Sequence, residues 1–301
     1  MAVIQWFPGH MAKARRILSE NLSEVDVVVE LCDARIPFSS RNPEIVKVIG
    51  NKPSVLVFNK ADLADPTMCE FWKKYYNEKG IQIVYTDSKK GDGVKKVTEA
   101  IKKTMSEKIK NQEEKGRLNP HIRAMIVGVP NVGKSSFINR VAGKAIAVTG
   151  DKPGVTRSKQ WLKMGANIYL LDTPGLLWPK IEDQRCGYRL ACTGAIKDDI
   201  LDNTDIAGFL LEFMRSSYNQ ALCQRFKLNP DDIKDMERLE LVAVCGKKRG
   251  CIVKGGEVDL VRAATIVLDE FRGGKMGRIS LDTPEALEPD PNAIPEEENN
   301  D

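Results

Sequence analysis

Near the middle of the chain, Gly128-Val-Pro-Asn131-Val132-Gly133-Lys134-Ser135 fits the spacing G-x-x-x-x-G-K-[ST]. The chemistry of this pattern is phosphate binding. A glycine at 133 permits a tight turn, so that successive backbone N–H groups converge on phosphate oxygens. The helix that opens at Ser135 and Ser136 adds the partial positive charge of its N-terminus. In this reading Lys134 reaches the β- and γ-phosphates and acts in catalysis, while the Ser135 hydroxyl ligates Mg²⁺. The apolar run Arg123–Val127 before the loop and the helical pattern after it supply the strand–loop–helix setting the motif needs.

A phosphate loop does not name a base. Asn59-Lys60-Ala61-Asp62, which follows the apolar run Ser54–Phe58, does. A carboxylate at 62 accepts two N–H bonds from the guanine edge. Adenine offers no such pair, and an unpaired buried carboxylate is costly. Asp87-Ser88-Lys89 follows the next apolar run, where a backbone amide can meet the guanine oxygen; an ordinary polar turn has the same composition.

A third acidic position completes the set. Asp172-Thr-Pro-Gly175 follows the run Ile168–Leu171, placing Asp172 to hold Mg²⁺ through water and the Gly175 N–H to meet the γ-phosphate. Between the two phosphate-facing motifs lies Pro153-Gly-Val-Thr156-Arg157. Thr156 is either a second hydroxyl ligand of Mg²⁺, and so part of the catalytic set, or a threonine of a flexible loop. The expected ligands are therefore GTP or GDP with Mg²⁺.

These motifs require a scaffold. Short β-branched runs at Val25–Cys32, Ser54–Phe58, Ile81–Tyr85, Arg123–Val127 and Ile168–Leu171 read as buried strands of a parallel sheet. Helical patterns alternate with them at about Met11–Leu22, Pro43–Val48, Thr67–Glu78, Val94–Lys110 and Ser135–Ala142. Ligands of such α/β sheets bind at the carboxyl ends of the strands, where all three motifs fall. After Gly175 the pattern becomes purely helical, at about Arg189–Leu201, Asp205–Phe226, Asp231–Val244 and Glu257–Phe271. The fold class read here is α/β: a circularly permuted P-loop GTPase sheet over residues 1–180, then a small all-helical C-terminal domain over 181–283. A disordered acidic tail is expected over 284–301.

The permutation is visible in motif order, because the base-reading residues 59–62 precede the phosphate loop 128–135. In the common arrangement the phosphate loop comes first. Permutation is cheap when the joined termini lie close together at the surface.

Composition narrows the remaining possibilities. Of 301 residues, 46 are basic and 42 acidic, a net charge of +4. Seven of the acids lie from Pro284 onward with no basic residue among them, leaving the remainder at +11. A body this basic favours polyanionic partners. No apolar run approaches the length of a membrane span, and the N-terminus lacks the order of a secretion signal, so a cytoplasmic protein without membrane association is expected. Seven Cys without a Cys-x-x-Cys spacing, and only two His, argue for reduced thiols and against a zinc site.

With these residues in view, the chain resembles the circularly permuted GTPases of ribosome assembly. The likeness rests on Trp6-Phe-Pro-Gly-His10-Met11, on Asp33-Ala-Arg35-Ile-Pro37, on the permuted motif order and on Gly-Lys-Met-Gly-Arg-Ile at 274–279. It implies a GTPase that binds the precursor of the large ribosomal subunit at a late assembly step, touches ribosomal RNA and proteins but not DNA, is stimulated by the particle, and is a monomer away from it. A regulatory GTPase acting on a protein effector is the alternative.

Two positions depart from the Ras-like pattern. Leu176 stands where a water-orienting glutamine is expected, so unaided hydrolysis should be slow. The resemblance assigns catalysis to His10, whose neutral imidazole suits orientation of the attacking water; the residue alone reads sooner as packing for its segment. Asn131 matches the phosphate-loop asparagine of potassium-activated GTPases, so its side-chain oxygen is either a K⁺ ligand or a loop cap. RNA-facing charge is expected at Lys102, Lys103, Lys108, Lys110, Lys115, Arg117 and Arg123. A second basic cluster is expected on a glycine-flanked loop carrying Lys247, Lys248, Arg249 and Lys254.

Overall fold

The computed structural model describes residues 10–143, 161–178 and 181–288, with side chains from Arg15 onward. They fall into two compact units, one ending at residue 178 and the other beginning at 181.

The first unit runs α1 (His10–Leu22), β1 (Val27–Asp33), α2 (Pro43–Ile49), β2 (Ser54–Asn59), α3 (Pro66–Glu78), β3 (Ile83–Thr86), α4 (Val94–Thr104), α5 (Ser106–Glu114), β4 (Ile122–Val127), α6 (Lys134–Ala142), β5 (Trp161–Met164) and β6 (Ile168–Asp172). The strands form one sheet in the order β3-β2-β1-β4-β6-β5. Five are mutually parallel, and β5 lies antiparallel to β6 at the edge. The expected all-parallel sheet is thus mixed. Parallel strands covered on both faces favour apolar residues on both, and all seven residues of β1 are buried, the two charged ones, Glu30 and Asp33, in ion pairs with Arg41 and Arg35. The edge strand β5 alternates buried with exposed side chains over four residues, so it leaves no apolar run in the sequence.

Helices start where the sequence supplies caps. Asn42 accepts from the N–H groups of Glu44 and Ile45 ahead of Pro43, and Asp65 accepts from that of Thr67 ahead of Pro66. α3 carries an aromatic cluster onto the sheet beside the base-reading motif, with Phe58 5.5 Å from Tyr76 and 5.4 Å from Tyr85. The single helix expected over Val94–Lys110 is two helices. The chain leaves the helical path at Met105 (ψ 12°), where the side chain is buried.

The second unit comprises α7 (Gln184–Cys192), α8 (Asn203–Ser217), α9 (Asn219–Phe226), α10 (Pro230–Ile233), α11 (Arg238–Lys248) and α12 (Leu260–Arg272). α8 packs against α7, α9, α11 and α12. The helix expected over Arg189–Leu201 stops at Cys192, because Gly194 takes a left-handed φ of 75° and the Ala195 N–H turns back to the Leu190 carbonyl. The run Asp205–Phe226 breaks at Tyr218, and the run Asp231–Val244 breaks after Ile233. A 3-10 turn over Pro284–Leu287 extends this unit past residue 283, and the Arg185 guanidinium donates to the Glu288 carbonyl at 2.6 Å. The rest of the acidic tail lies outside the described residues.

One carboxylate organises the helical unit. Glu270 on α12 receives Arg225 from α9 at 2.8 and 2.9 Å, and Arg249, just past α11, at the same distances. Burial pushes its carboxyl up, but the two guanidiniums outweigh this and hold it at about 2. The basic loop expected at 247–249 is therefore different in kind. Lys247 and Lys248 are the exposed last residues of α11, while Arg249 turns inward to Glu270. In the first basic cluster Lys108 pairs with Asp26, and Arg123 lies over the Trp161 ring at 5.6 Å.

Candidate nucleotide site

Register brings the sequence motifs to one edge of the sheet. Asn59 closes β2 opposite Asp33 of β1 and Thr86 of β3, and Asp172 of β6 pairs with Ile126 of β4, two residues before Gly128. All the strands concerned are parallel, so their carboxyl ends converge.

The phosphate loop spans 128–135 between β4 and α6. Gly133 has φ 95°, and a Cβ there would lie 2.4 Å from the Asn59 Nδ2, so no other residue fits without displacing that amide. Asn131 also takes a left-handed φ, 56°, with its residue exposed, and Val132 is buried beneath the loop. Lys134 opens α6, and its ammonium donates to the carbonyls of Gly128 and Val129, both at 2.9 Å. Burial lowers its pKa to about 8 against the opposing pull of Asp172. Ser135 and Ser136 are half-buried on the first turn.

The base-reading loop is fastened to the phosphate loop by two adjacent residues. Asn59, buried, donates from Nδ2 to the Val132 carbonyl at 2.8 Å. Its Oδ1 accepts from Thr86 Oγ1 at 3.1 Å, from the Ser88 amide at 3.0 Å and from Ser88 Oγ at 2.7 Å. The neighbouring Lys60 ammonium donates to the Asn131 carbonyl at 2.6 Å. The Ala61 N–H then bonds the Thr86 carbonyl, leaving Asp62 exposed at a cleft that Thr86, Asp87, Lys90 and Lys96 also line. Asp87 spends its Oδ1 on the amides of Lys89 and Lys90, which shapes this turn from within. From the opposite side Arg140 of α6 donates to the Ser88 carbonyl at 3.3 Å and to that of Lys89.

Just past β6, Thr173 Oγ1 donates to the Ile126 carbonyl and the Leu176 amide donates to the Gly128 carbonyl. Gly175 is thereby pressed to the loop. A Cβ on it would stand 2.9 Å from Pro130 Cα and 3.1 Å from Lys134 Nζ. Asn42, which caps α2 with its Oδ1, holds the Leu176 carbonyl with its Nδ2 at 2.8 Å. Asp172 is exposed at the end of β6. Thr156 lies outside the described residues. His10 is the first residue of α1, and its side chain lies outside the description.

Four further residues shape this site without belonging to a nucleotide motif: Asp33, Arg35, Asn42 and Arg140. Asp33 and Arg35 stand in the sequence within the segment Asp33-Ala-Arg35-Ile-Pro37, and the only signal for Asn42 is its place before Pro43 as a helix cap. Nothing local marks Arg140.

A family model described as 50S ribosome-binding GTPase matches residues 123–228. Over 288 residues the chain is 50% identical to a ribosome biogenesis GTPase A of Priestia megaterium, spanning 95% of this chain and 98% of that protein. The chain belongs to that family. A ribosome biogenesis GTPase A of Bacillus cereus is also 50% identical, over 285 residues, covering 94% of this chain and 95% of its own. A mouse mitochondrial ribosome-associated GTPase 1 is 34% identical, with 93% and 90% coverage. Among solved structures, GDP-bound YlqF from T. maritima superposes with a TM-score of 0.66 at 26% identity, over 90% of this chain and 100% of that one. Its GNP-bound form gives 0.63 at the same identity, over 91% and 99%. This family member is a circularly permuted GTPase that binds guanine nucleotide and hydrolyses GTP. Among the described residues no helix is long and apolar enough to cross a membrane.

Proposed function

We propose that this GTPase binds the precursor of the large ribosomal subunit and couples GTP hydrolysis to a late step of its assembly. The observation that carries the reading is the 50% identity, over nearly the full length of both chains, to proteins named ribosome biogenesis GTPase A. The matching family, that of 50S ribosome-binding GTPases, points to the same particle. Exposed Lys247, Lys248 and Lys254 of the helical unit, and exposed Lys102, Lys103, Lys110, Lys115 and Arg117, supply the charge that a ribosomal RNA contact requires. The protein acts as a monomer away from the particle, in the cytoplasm.

In this proposal Asp62 reads the guanine edge, beside the backbone of Ala61 and Ser88, with Asn59 and Lys60 framing it. The N–H groups of Asn131–Ser136 and the Lys134 ammonium hold the phosphates, and the Gly175 amide meets the γ-phosphate. Ser135, Asp172 and Thr156 would hold Mg²⁺, whose preference for hard oxygen donors suits two hydroxyls and a carboxylate and which would supply charge neutralisation at the phosphates. Gly175 already lies against Pro130 and Lys134, so a γ-phosphate seated there is sensed by the segment leading to Leu176. Leu176 is buried and offers no hydrogen bond to water, which leaves orientation of the nucleophile to another group, His10. K⁺ at Asn131 would add positive charge beside the phosphates.

The deciding experiment measures GTP turnover with and without purified large subunits, in potassium and in sodium buffer, for the native protein and His10→Ala. Strong stimulation lost in the variant supports the whole reading. Stimulation that survives the variant removes His10 from the chemistry. No stimulation by subunits would sink the ribosomal assignment and favour a protein effector.

A further inference from the structure

The Asp33-Ala-Arg35 segment ends the central strand, and neither the phosphate chemistry nor the base recognition derived above makes use of it. Its side chains are nonetheless among the most enclosed charges in the protein, at 1% exposure for each of Asp33 and Arg35. Arg35 grips Asp33 in a forked pair, Nε to Oδ1 at 3.0 Å and Nη2 to Oδ2 at 2.8 Å, and the Arg35 amide adds a third bond to Oδ1 at 3.0 Å. The same Oδ2 faces Lys60 Nζ at 2.9 Å. Lys60 Nζ in turn donates to the Asn131 carbonyl of the phosphate loop.

Isolated buried charges are expensive, and a three-membered charge network persists only where its geometry is well satisfied. The backbone of Lys60 is also held at φ 61°, a left-handed conformation that costs a non-glycine residue about 1 kcal/mol and survives where surrounding contacts over-determine it. Asp33 Oδ2 and the Asn131 carbonyl supply that determination together, both at the Lys60 ammonium. Asn131 is itself left-handed at 56°, so two left-handed residues from separate loops are joined by a single ammonium.

We propose that Asp33 is a positioning residue for guanine recognition: clamped by Arg35, it fixes the Lys60 ammonium on the Asn131 carbonyl and so locks the base-reading loop to the phosphate loop in one register. The inference rests on the guanine-site reading given above. Asp33 does not touch nucleotide; it acts through Lys60. Burial pushes the Asp33 carboxyl up, and the Arg35 and Lys60 charges outweigh it, so the anchor stays ionised across the working pH range.

The test is a double-mutant cycle on guanine nucleotide binding and turnover. Asp33→Asn removes the anchor charge and keeps the side-chain shape. It is expected to raise the GDP dissociation constant and the KM for GTP at least about tenfold, with a much smaller fall in kcat, because the reacting phosphates keep their own contacts. In a Lys60→Met background the same change is expected to add less than about twofold. Equal losses in both backgrounds would assign Asp33 a general structural role and overturn the proposal. Asp33→Asn strands the buried Arg35 charge and can fail to fold. The double variant Asp33→Asn/Arg35→Gln relieves that charge, and it must show the same rise in KM with its melting temperature recorded alongside. Native-like nucleotide affinity in a folded double variant also overturns the proposal. Asp62→Asn, assayed in parallel with guanosine and xanthosine nucleotides, separates the two levels. If it leaves guanine preference intact, the guanine-site reading itself fails, whatever Asp33 does.

Discussion

The Asn59 side-chain amide donates to the Val132 carbonyl at 2.8 Å across 73 residues of sequence, while its oxygen gathers Thr86 and Ser88. One asparagine therefore ties together the three loops that frame the nucleotide site. Truncating it to alanine leaves several buried groups without partners, and each such group costs about 1–3 kcal/mol. Asn59→Ala is expected to lower the melting temperature of the nucleotide-free protein by roughly 10 °C. It should also weaken GDP binding at least about tenfold. Calorimetry and a GDP titration on the same preparation check both, and an unchanged affinity would show that the loops hold their register without it.

Lys134 gives a pH dependence with a definite sign. Its ammonium loses its proton at about 8 in the nucleotide-free protein, lowered by burial. Phosphate charge brought to within a few ångströms stabilises the ammonium, so the bound form holds the proton to higher pH. Below pH 8 binding needs no proton uptake. Above it, each unit of pH is expected to weaken GDP affinity by up to about tenfold, with one proton taken up on binding. Titrations between pH 6.5 and 9.5 in two buffers of different ionisation enthalpy test this; a flat profile would place the effect elsewhere.

Gly175→Ala puts a methyl group 2.9 Å from Pro130 Cα, against backbone that cannot swing aside. The segment from Asp172 to Leu176 must then withdraw from the phosphate loop. GTP turnover is expected to fall at least about a hundredfold while GDP affinity changes little, since in the proposed site the Gly175 amide meets only the γ-phosphate. Comparable loss of GDP binding would mean the clash propagates into the phosphate loop itself.

In the helical unit, Glu270→Gln removes the partner of two guanidiniums at once. A cost of about 3 kcal/mol is expected, read as a lower denaturant midpoint with an unchanged slope. The native carboxyl is held at about 2, below its unfolded value near 4.3. Its stabilising contribution is thus complete above the unfolded value and fades as pH falls towards 2, so the native and variant midpoints should converge in that window.

Most of the sheet was legible because parallel strands buried on both faces leave largely apolar runs, as Val27–Cys32 does with Glu30 its one charged residue. The edge strand Trp161–Met164 escaped because four alternating residues carry no such signal. Helix ends escaped where the stop was a tertiary event, such as burial of Met105, or a single glycine, such as Gly194, inside an otherwise helical pattern. The phosphate loop was legible because its work is done by backbone, which forces glycine at fixed spacing. Asn42 and Arg140 were not, because each serves a partner far off in sequence: Leu176 for the first, Ser88 and Lys89 for the second. The basic triplet at 247–249 read as solvent-facing charge, and only the inward turn to Glu270 sets Arg249 apart from its neighbours.

The strand order has a consequence for how the protein is made. β1 lies in the middle of the sheet, between β2 and β4, yet it is synthesised first. A nascent chain that has emerged as far as Thr86 owns three adjacent parallel strands, and the open side of that half-sheet is β1, apolar except at Glu30 and Asp33. Its unpaired N–H and C=O groups wait for Ile122–Val127 to arrive from the translating ribosome. Chains halted between these points present a bare hydrophobic edge, so prematurely terminated fragments ending near residue 115 are the ones a chaperone or protease will meet.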